Sequence, residues 1–258
     1  MVLDAIETVV CDIDGVVVLG GNPIPGAGKA LAQLRAAGLQ VLFITNNSTK
    51  TRDAVAARLA ESVGYVTGPE TIISSGWATG HFIAGSVDRV FVLGSDGLRD
   101  TLRETGVTVT ENWQEANGVV VGLDFDLSYR KLAETALAVQ NGAALYATNT
   151  DASYPTPEGL HPGAGSLVAL IETTVGVNAQ PCGKPFEPMR RLLADFVDGV
   201  PIMIGDRPDT DIALGKAEGW ATALVLTGVT RSAADVAQKY HPDLVLDSIA
   251  DLPGALGV

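Results

Sequence analysis

Asp12 and Asp14 stand one residue apart, directly before Gly15, at the end of an apolar run that begins at Ile6 and reaches Cys11. A continuous β-branched run reads as a buried parallel strand, and a glycine at its end lets the backbone turn sharply. Both carboxylates are then expected at the carboxyl end of a strand, where open α/β sheets place their chemistry. Side chains alternate along a strand but splay in the turn after it, so the two can approach one small site. Like charges that close require a cation or a shared proton, and a hard divalent metal is the simplest remedy. An Asx-turn, with Asp14 merely closing the loop before Gly15, is the competing reading of these residues alone.

Three further groups stand where the chain pattern predicts other loops or strand ends. Thr45-Asn46-Asn47-Ser48 follows the apolar run Gln40–Ile44. Lys184 lies between Gly183 and Pro185. Asp206, Asp209 and Asp211 follow Pro201–Ile204. Each has an ordinary alternative: Ser48 or Thr49 could cap a helix, Lys184 could be a solvated surface lysine, and Asp209 could be a helix cap.

The intervening pattern supplies elements to carry these groups. Helices are expected from Gly26 to Gly38, over Lys50–Leu59, across Thr71–Gly85, near Leu98–Glu104 and Tyr129–Val139, between Gly163 and Gly176, over Phe186–Phe196 and Ile212–Glu218, and over Ser232–Lys239. Strands are expected at Arg89–Leu93, Gly118–Leu123, Ala144–Thr148, Thr222–Leu226 and Leu244–Leu246. Gly26-Ala27-Gly28-Lys29 is not a phosphate loop, since Pro23 and Ala30 occupy positions where that motif needs Gly and Ser or Thr.

With 258 residues, the chain suits one large α/β domain or two smaller ones, and 47% hydrophobic residues exclude disorder. A net charge of −13 would repel a nucleic-acid backbone and an anionic membrane surface, so neither is an expected partner. Cys11 and Cys182 lack CxxC spacing and read as core thiols. His81, His161 and His241 are too scattered for a zinc site, and Trp77, Trp113 and Trp220 read as packing. No signal-peptide pattern or membrane-length apolar run is seen, and a cytoplasmic location is expected.

Taken together, the DxDG run at Asp12–Gly15, the strand-end Thr45, Lys184 and the run from Gly205 to Asp211 resemble the four motifs of the haloacid dehalogenase superfamily of phosphatases. Stretches such as DIDGVVVLGGNPIPGA, FITNNSTKT, TNTDASYPTPEGLHPGAGSL and IGDRPDTDIALG resemble its branch of NagD-like, phosphoglycolate and pyridoxal phosphate phosphatases. The resemblance implies an α/β fold: a three-layer Rossmann-like core with a parallel sheet, plus an inserted α/β cap domain. It implies Asp12 as nucleophile, Asp14 as general acid and base, and Thr45 and Lys184 as groups that bind and neutralise the transferring phosphoryl group. Mg²⁺ would be held by Asp12, the Asp14 backbone carbonyl and Asp206, with Asp211 behind them. Gly15, Asn46 and Asn47 are the further candidates for phosphate contact.

About 30 residues separate Asp14 from Thr45, too few for a cap there, whereas the gap from Thr45 to Lys184 is long. Core segments are therefore expected at 1–81 and 182–258, and a cap at 82–181. Asp124, Asp126, Asn149 and Asp151, beyond two of its strand ends, are the candidates for reading the leaving group. Their acidity favours hydroxylated over carboxylated leaving groups; a preference for phosphoglycolate would call for a cation such as Arg130 or Lys131. The expected partner is a small phosphate ester: a sugar, polyol or nucleoside phosphate. Phosphoglycolate or pyridoxal phosphate, a phosphotransferase reaction, and a catalytically silent binding protein are the alternatives, and a homodimer is left open.

Overall fold

The computed structural model describes residues 5–156, 158–232, 234, 236 and 240–258. The chain forms two compact units. One holds the chain up to Thr45, Asp53–Ile73 and the chain from Leu193 onward; the other holds Asn46–Arg52 and Ser74–Leu192.

The first unit is built on a six-stranded sheet in the order Leu244–Leu246, Ala221–Val225, Pro201–Gly205, Thr8–Asp12, Gln40–Thr45, Ile72–Ser74. Thr8–Asp12 pairs in parallel with both neighbours, setting Cys11 against Ile204 and Asp12 against Ile44. Pairing stays parallel out to Leu244–Leu246. All five residues of the central strand are buried, as a strand covered on both faces requires. Val9, Cys11, Val41 and Phe43 share one core with Ala27, Leu31 and Leu34 of helix Ala27–Ala36 and with Val55, Ala56 and Leu59 of helix Arg52–Val63. Side-chain alternation puts Asp12 on the face opposite Cys11.

The second unit is another parallel sheet, in the order Gln180–Pro181, Ala144–Ala147, Gly118–Val121, Arg89–Leu93, Thr108–Thr110. Phe91, Leu93, Val119, Val121, Leu145 and Ala147 point to helices Tyr129–Gln140 and Ala164–Val175. Val90, Val92 and Val120 point the other way, to helices Ser75–Ile83 and Asp96–Glu104. Helices thus cover both faces, and the strand period of two assigns the residues between them. Leu160 and the rest of the antiparallel hairpin Ser153–Thr156/Gly159–Pro162 lie outside this sheet.

The helix expected across Thr71–Gly85 needs correction. It begins only at Ser75, and Ile72–Ser74 is a buried strand. Ser74 ends the strand and caps the helix, its hydroxyl accepting from the Trp77 N–H at 3.2 Å. The helix expected over Ser232–Lys239 falls on a stretch in which 233, 235 and 237–239 lie outside the described residues. Among the described residues, no helix is long and apolar enough to cross a membrane.

Candidate active site

In the first unit, three adjacent parallel strands end on Asp12, Thr45 and Gly205, and Asp206 follows Gly205 directly. Asp12 is 5% exposed, Asp206 2% and Asp211 not at all. One carboxylate oxygen from each lies within 4.8 Å of the others. Three buried carboxyl groups at that range form a donor set of hard oxygens, the chemistry that suits Mg²⁺ or Ca²⁺. Thr45 is buried, whereas Asp14 is exposed. An exposed carboxyl can exchange protons with solvent, as a general acid and base must.

The turn after the central strand is tightly made. Val17 and Val18 donate their N–H groups to the Ile13 carbonyl at 2.9 and 3.1 Å, and Gly15 donates to the Val18 carbonyl at 2.7 Å. Gly15 has φ +96°, and a Cβ there would meet the Asp206 carboxylate at 2.5 Å. A Cβ on Gly228 would also strike Asp206, and one on Gly205 would strike Asp211. Three glycines therefore leave room for the carboxylates. The loop after strand Ala221–Val225 completes the support: the Val229 N–H donates to Asp206 Oδ2, and the Thr227 hydroxyl donates to the Gly15 carbonyl. Sequence reasoning did not single out Thr227, Gly228 and Val229, and no spacing pattern marks them.

Asp211, expected behind the metal ligands, brings an oxygen into the carboxylate cluster while its Oδ2 accepts from the Arg207 N–H at 3.0 Å. It sits in the π-type turn Pro208–Ile212, where both Asp211 and Ile212 donate to the Arg207 carbonyl. Such turns bulge a helix locally and recur at functional sites. Asp209 is exposed and lies 3.4 Å from the Arg207 guanidinium, outside the cluster.

In the second unit, Lys184 is 2% exposed and therefore no solvated surface residue. Its main-chain N–H donates to Asn46 Oδ1 at 2.8 Å. Asn46 Nδ2 donates to Asp151 Oδ2 at 3.1 Å, and Asn149 Nδ2 donates to the Asn46 carbonyl at 2.7 Å. Asn47 Oδ1 accepts from the Thr49 N–H at 3.0 Å and the Thr49 hydroxyl at 2.7 Å, closing its own loop. Asp124 is buried and paired with Lys131 at 3.0 Å, while exposed Asp126 lies 3.3 Å from the same ammonium. Partial burial alone would lower the Lys131 pKa, but the two carboxylates outweigh it and the pKa is raised. Arg130 is paired with Glu134 at 2.8 Å. Burial, slightly offset by the Thr79 hydroxyl, pushes the Cys182 thiol up to about 12 and leaves it without nucleophilic character.

Comparison with known proteins adds three kinds of likeness. Residues 9–108 match a family described as haloacid dehalogenase-like hydrolase, and residues 181–252 match a related HAD-hydrolase-like family. An acid sugar phosphatase of Staphylococcus aureus is 37% identical over 237 residues, 90% of each chain. Among solved structures, a p-nitrophenyl phosphatase from Archaeoglobus fulgidus superposes with a TM-score of 0.90 at 31% identity, covering 97% of this chain and 99% of its own. A glycerol phosphate phosphatase from Mycobacterium tuberculosis in complex with magnesium superposes with a TM-score of 0.89 at 31% identity, covering 97% of this chain and 77% of its own.

Proposed function

Because the chain belongs to the haloacid dehalogenase-like hydrolases, we propose that it is a Mg²⁺-dependent phosphatase of small phosphate monoesters, sugar and polyol phosphates foremost, working through an aspartyl-phosphate on Asp12. The observation that carries this reading is the buried cluster of Asp12, Asp206 and Asp211, on the end of one parallel strand and in the loop and turn that follow its neighbour, with exposed Asp14 two residues beyond Asp12.

Phosphate monoesters hydrolyse very slowly unaided, and a covalent intermediate divides one difficult displacement into two easier ones. Asp12 attacks phosphorus in line and the bond to the leaving oxygen breaks. Asp14, in its protonated form, gives that oxygen a proton, then takes one from the water that attacks the aspartyl-phosphate and releases inorganic phosphate. One carboxylate cannot be nucleophile and proton donor in the same step, which is why two are needed. The Thr45 hydroxyl donates to the transferring group, and Lys184 is assigned to neutralise its charge, both on the resemblance of the motifs. Asp12, Asp206 and the Asp14 carbonyl would hold Mg²⁺, with Asp211 supporting them, and the bound ion would supply charge neutralisation for the phosphoryl oxygens. Three mutually close buried carboxylates fit such an ion, since without a cation they repel one another.

A cap at residues 82–181 would exclude water and read the leaving group. The acid sugar phosphatase and glycerol phosphate phosphatase among the relatives support a hydroxylated leaving group, as does the prior engagement of Arg130 and Lys131 by acids. The test is release of phosphate from p-nitrophenyl phosphate and from a panel of glycerol phosphate, hexose phosphates, nucleoside monophosphates, pyridoxal phosphate and phosphoglycolate. Activity is expected with Mg²⁺ and not with chelator. Full activity in chelator would overturn the metal assignment, and a more than tenfold preference for phosphoglycolate would overturn the substrate class.

A further inference from the structure

One side chain holds both polar groups of the Lys184 backbone. Asn46 Oδ1 accepts from the Lys184 N–H at 2.8 Å, and Asn46 Nδ2 donates to the Lys184 carbonyl at 3.3 Å and to Asp151 Oδ2 at 3.1 Å. A carboxamide has two N–H donors and one acceptor oxygen, so both donors and the acceptor are engaged within the protein. The Asn46 carbonyl is fixed in turn by Asn149 Nδ2 and the Ser75 hydroxyl, each at 2.7 Å. Asn149 Oδ1 accepts from the Asp151 N–H at 3.1 Å, which closes the circuit. Asn46, Asn149, Ser75 and Lys184 are all buried. A Cβ on Gly183 would collide with Asn46 Oδ1 and with the Thr148 carbonyl, so the approach of Asn46 to this backbone depends on a glycine before the lysine.

We infer that the Asn46 side chain, backed by Asn149 and Asp151, is a positioning device for Lys184, in place of a phosphate contact for Asn46 and of contacts to the leaving group for Asn149 and Asp151. The inference rests on the role given to Lys184 under the proposed function. Its residue choice follows from donor count. An aspartate at 46 would lose both donors and face the Asp151 carboxylate, and an alanine would leave the Lys184 N–H and carbonyl without this partner. A lysine whose backbone drifts loses the placement that makes its charge useful, and small misplacements of catalytic groups cost rate more than binding.

The test is a double-mutant cycle on the full chain with Mg²⁺ and p-nitrophenyl phosphate, kcat and KM measured separately. Lys184→Ala is expected to lower kcat by about 100- to 1,000-fold. Asn46→Ala should lower it by about 100-fold with little change in KM, and the double variant should be no slower than Lys184→Ala alone. Losses that multiply would overturn the positioning role while leaving that of Lys184 intact. An unchanged kcat for Lys184→Ala would overturn the assignment of the lysine, and the positioning role with it. Asn149→Ala and Asp151→Ala give the same cycle should Asn46→Ala fail to fold. Both should slow p-nitrophenyl phosphate and glycerol phosphate by the same factor, and Asp151→Asn, which keeps an acceptor oxygen for Asn46, should recover most of the loss. A shift of more than tenfold in the ratio between the two substrates would return these residues to leaving-group recognition.

Discussion

Replacing Asp206 by asparagine should stabilise the metal-free protein and remove its response to Mg²⁺. The carboxylate oxygens of Asp12, Asp206 and Asp211 lie within 4.8 Å of one another. At an effective dielectric near 20, two unit charges at that separation repel by about 3.5 kcal/mol. Asp206→Asn removes the repulsion at its corner of the cluster, a fraction of that figure once neighbouring groups, water and counter-ions screen it. The substitution keeps the shape and an acceptor for the Val229 N–H, so little packing is lost. In chelator the variant should melt above the unsubstituted protein. With Mg²⁺ the parent should rise toward the variant and the gap should narrow. Binding to the folded form alone adds about 2.7 kcal/mol at 100 times Kd, which for a chain of this size moves Tm by about 5–10 °C, whereas the variant should move little. Calorimetry across a Mg²⁺ titration, beside a chelated control, reads both arms. A variant that melts below the metal-free parent, or that keeps the full Mg²⁺ increment, would refute the reasoning.

Asp12→Asn should abolish turnover and leave no phosphoprotein, whereas Asp14→Asn should be severely slowed yet accumulate a trappable acyl phosphate with p-nitrophenyl phosphate, whose leaving group needs little protonation; rapid acid quench with labelled substrate distinguishes them. Gly15→Ala should cost about 1–2 kcal/mol from its left-handed φ alone and, by pressing a Cβ onto Asp206, should raise the Mg²⁺ concentration required for half-maximal activity. The pH dependence of stability has a local test at Asp243. Burial would raise its pKa, but hydrogen bonds from Lys216 and Thr222 prevail and hold it below its ordinary 3.8. A carboxyl with a depressed folded pKa stabilises above its unfolded value and loses that contribution as pH falls through the folded one. Asp243→Asn should therefore cost up to about 1 kcal/mol at neutral pH after solvent screening, and chemical denaturation should find the difference shrinking once the pH is taken below 3.8.

The elements that carry the carboxylate cluster were legible because each leaves a strong local signal. Gln40–Ile44 and Pro201–Ile204 are short apolar runs with polar residues at one end, and the strands found are Gln40–Thr45 and Pro201–Gly205. The added residues, Thr45 and Gly205, open the loops and stay in the extended strand although neither continues the apolar pattern. Ile72–Ser74 was missed for a different reason. Three residues cannot display a period of two, and the Ser-Gly-Trp-Ala-Thr-Gly that follows is helical. Thr108–Thr110 is as short, and the four-residue strands Ser153–Thr156 and Gly159–Pro162 pair with each other outside the sheet; in both cases pairing, and not local pattern, makes the strand.

Polar loop residues were legible as a group but not in their individual tasks. Asn46, Asn149 and Asp151 carry the composition expected of ligand contacts, and a sequence cannot say whether a carboxamide points at a ligand or at another stretch of backbone. The deciding quantity is how many of its donors and acceptors the protein already uses. For Asn46 both donors and the acceptor are engaged, by partners 105 and 138 positions away, distances at which no periodicity operates. Asp124 follows the same logic: its exposed neighbour Asp126 is a turn acid, but Asp124 itself is buried against Lys131, and a buried charge with a partner is held in place at a cost that a surface loop residue never meets. Selectivity for the leaving group should therefore be sought first in exposed groups whose hydrogen-bonding capacity is unspent, and only afterwards in the buried residues whose polarity already serves the fold.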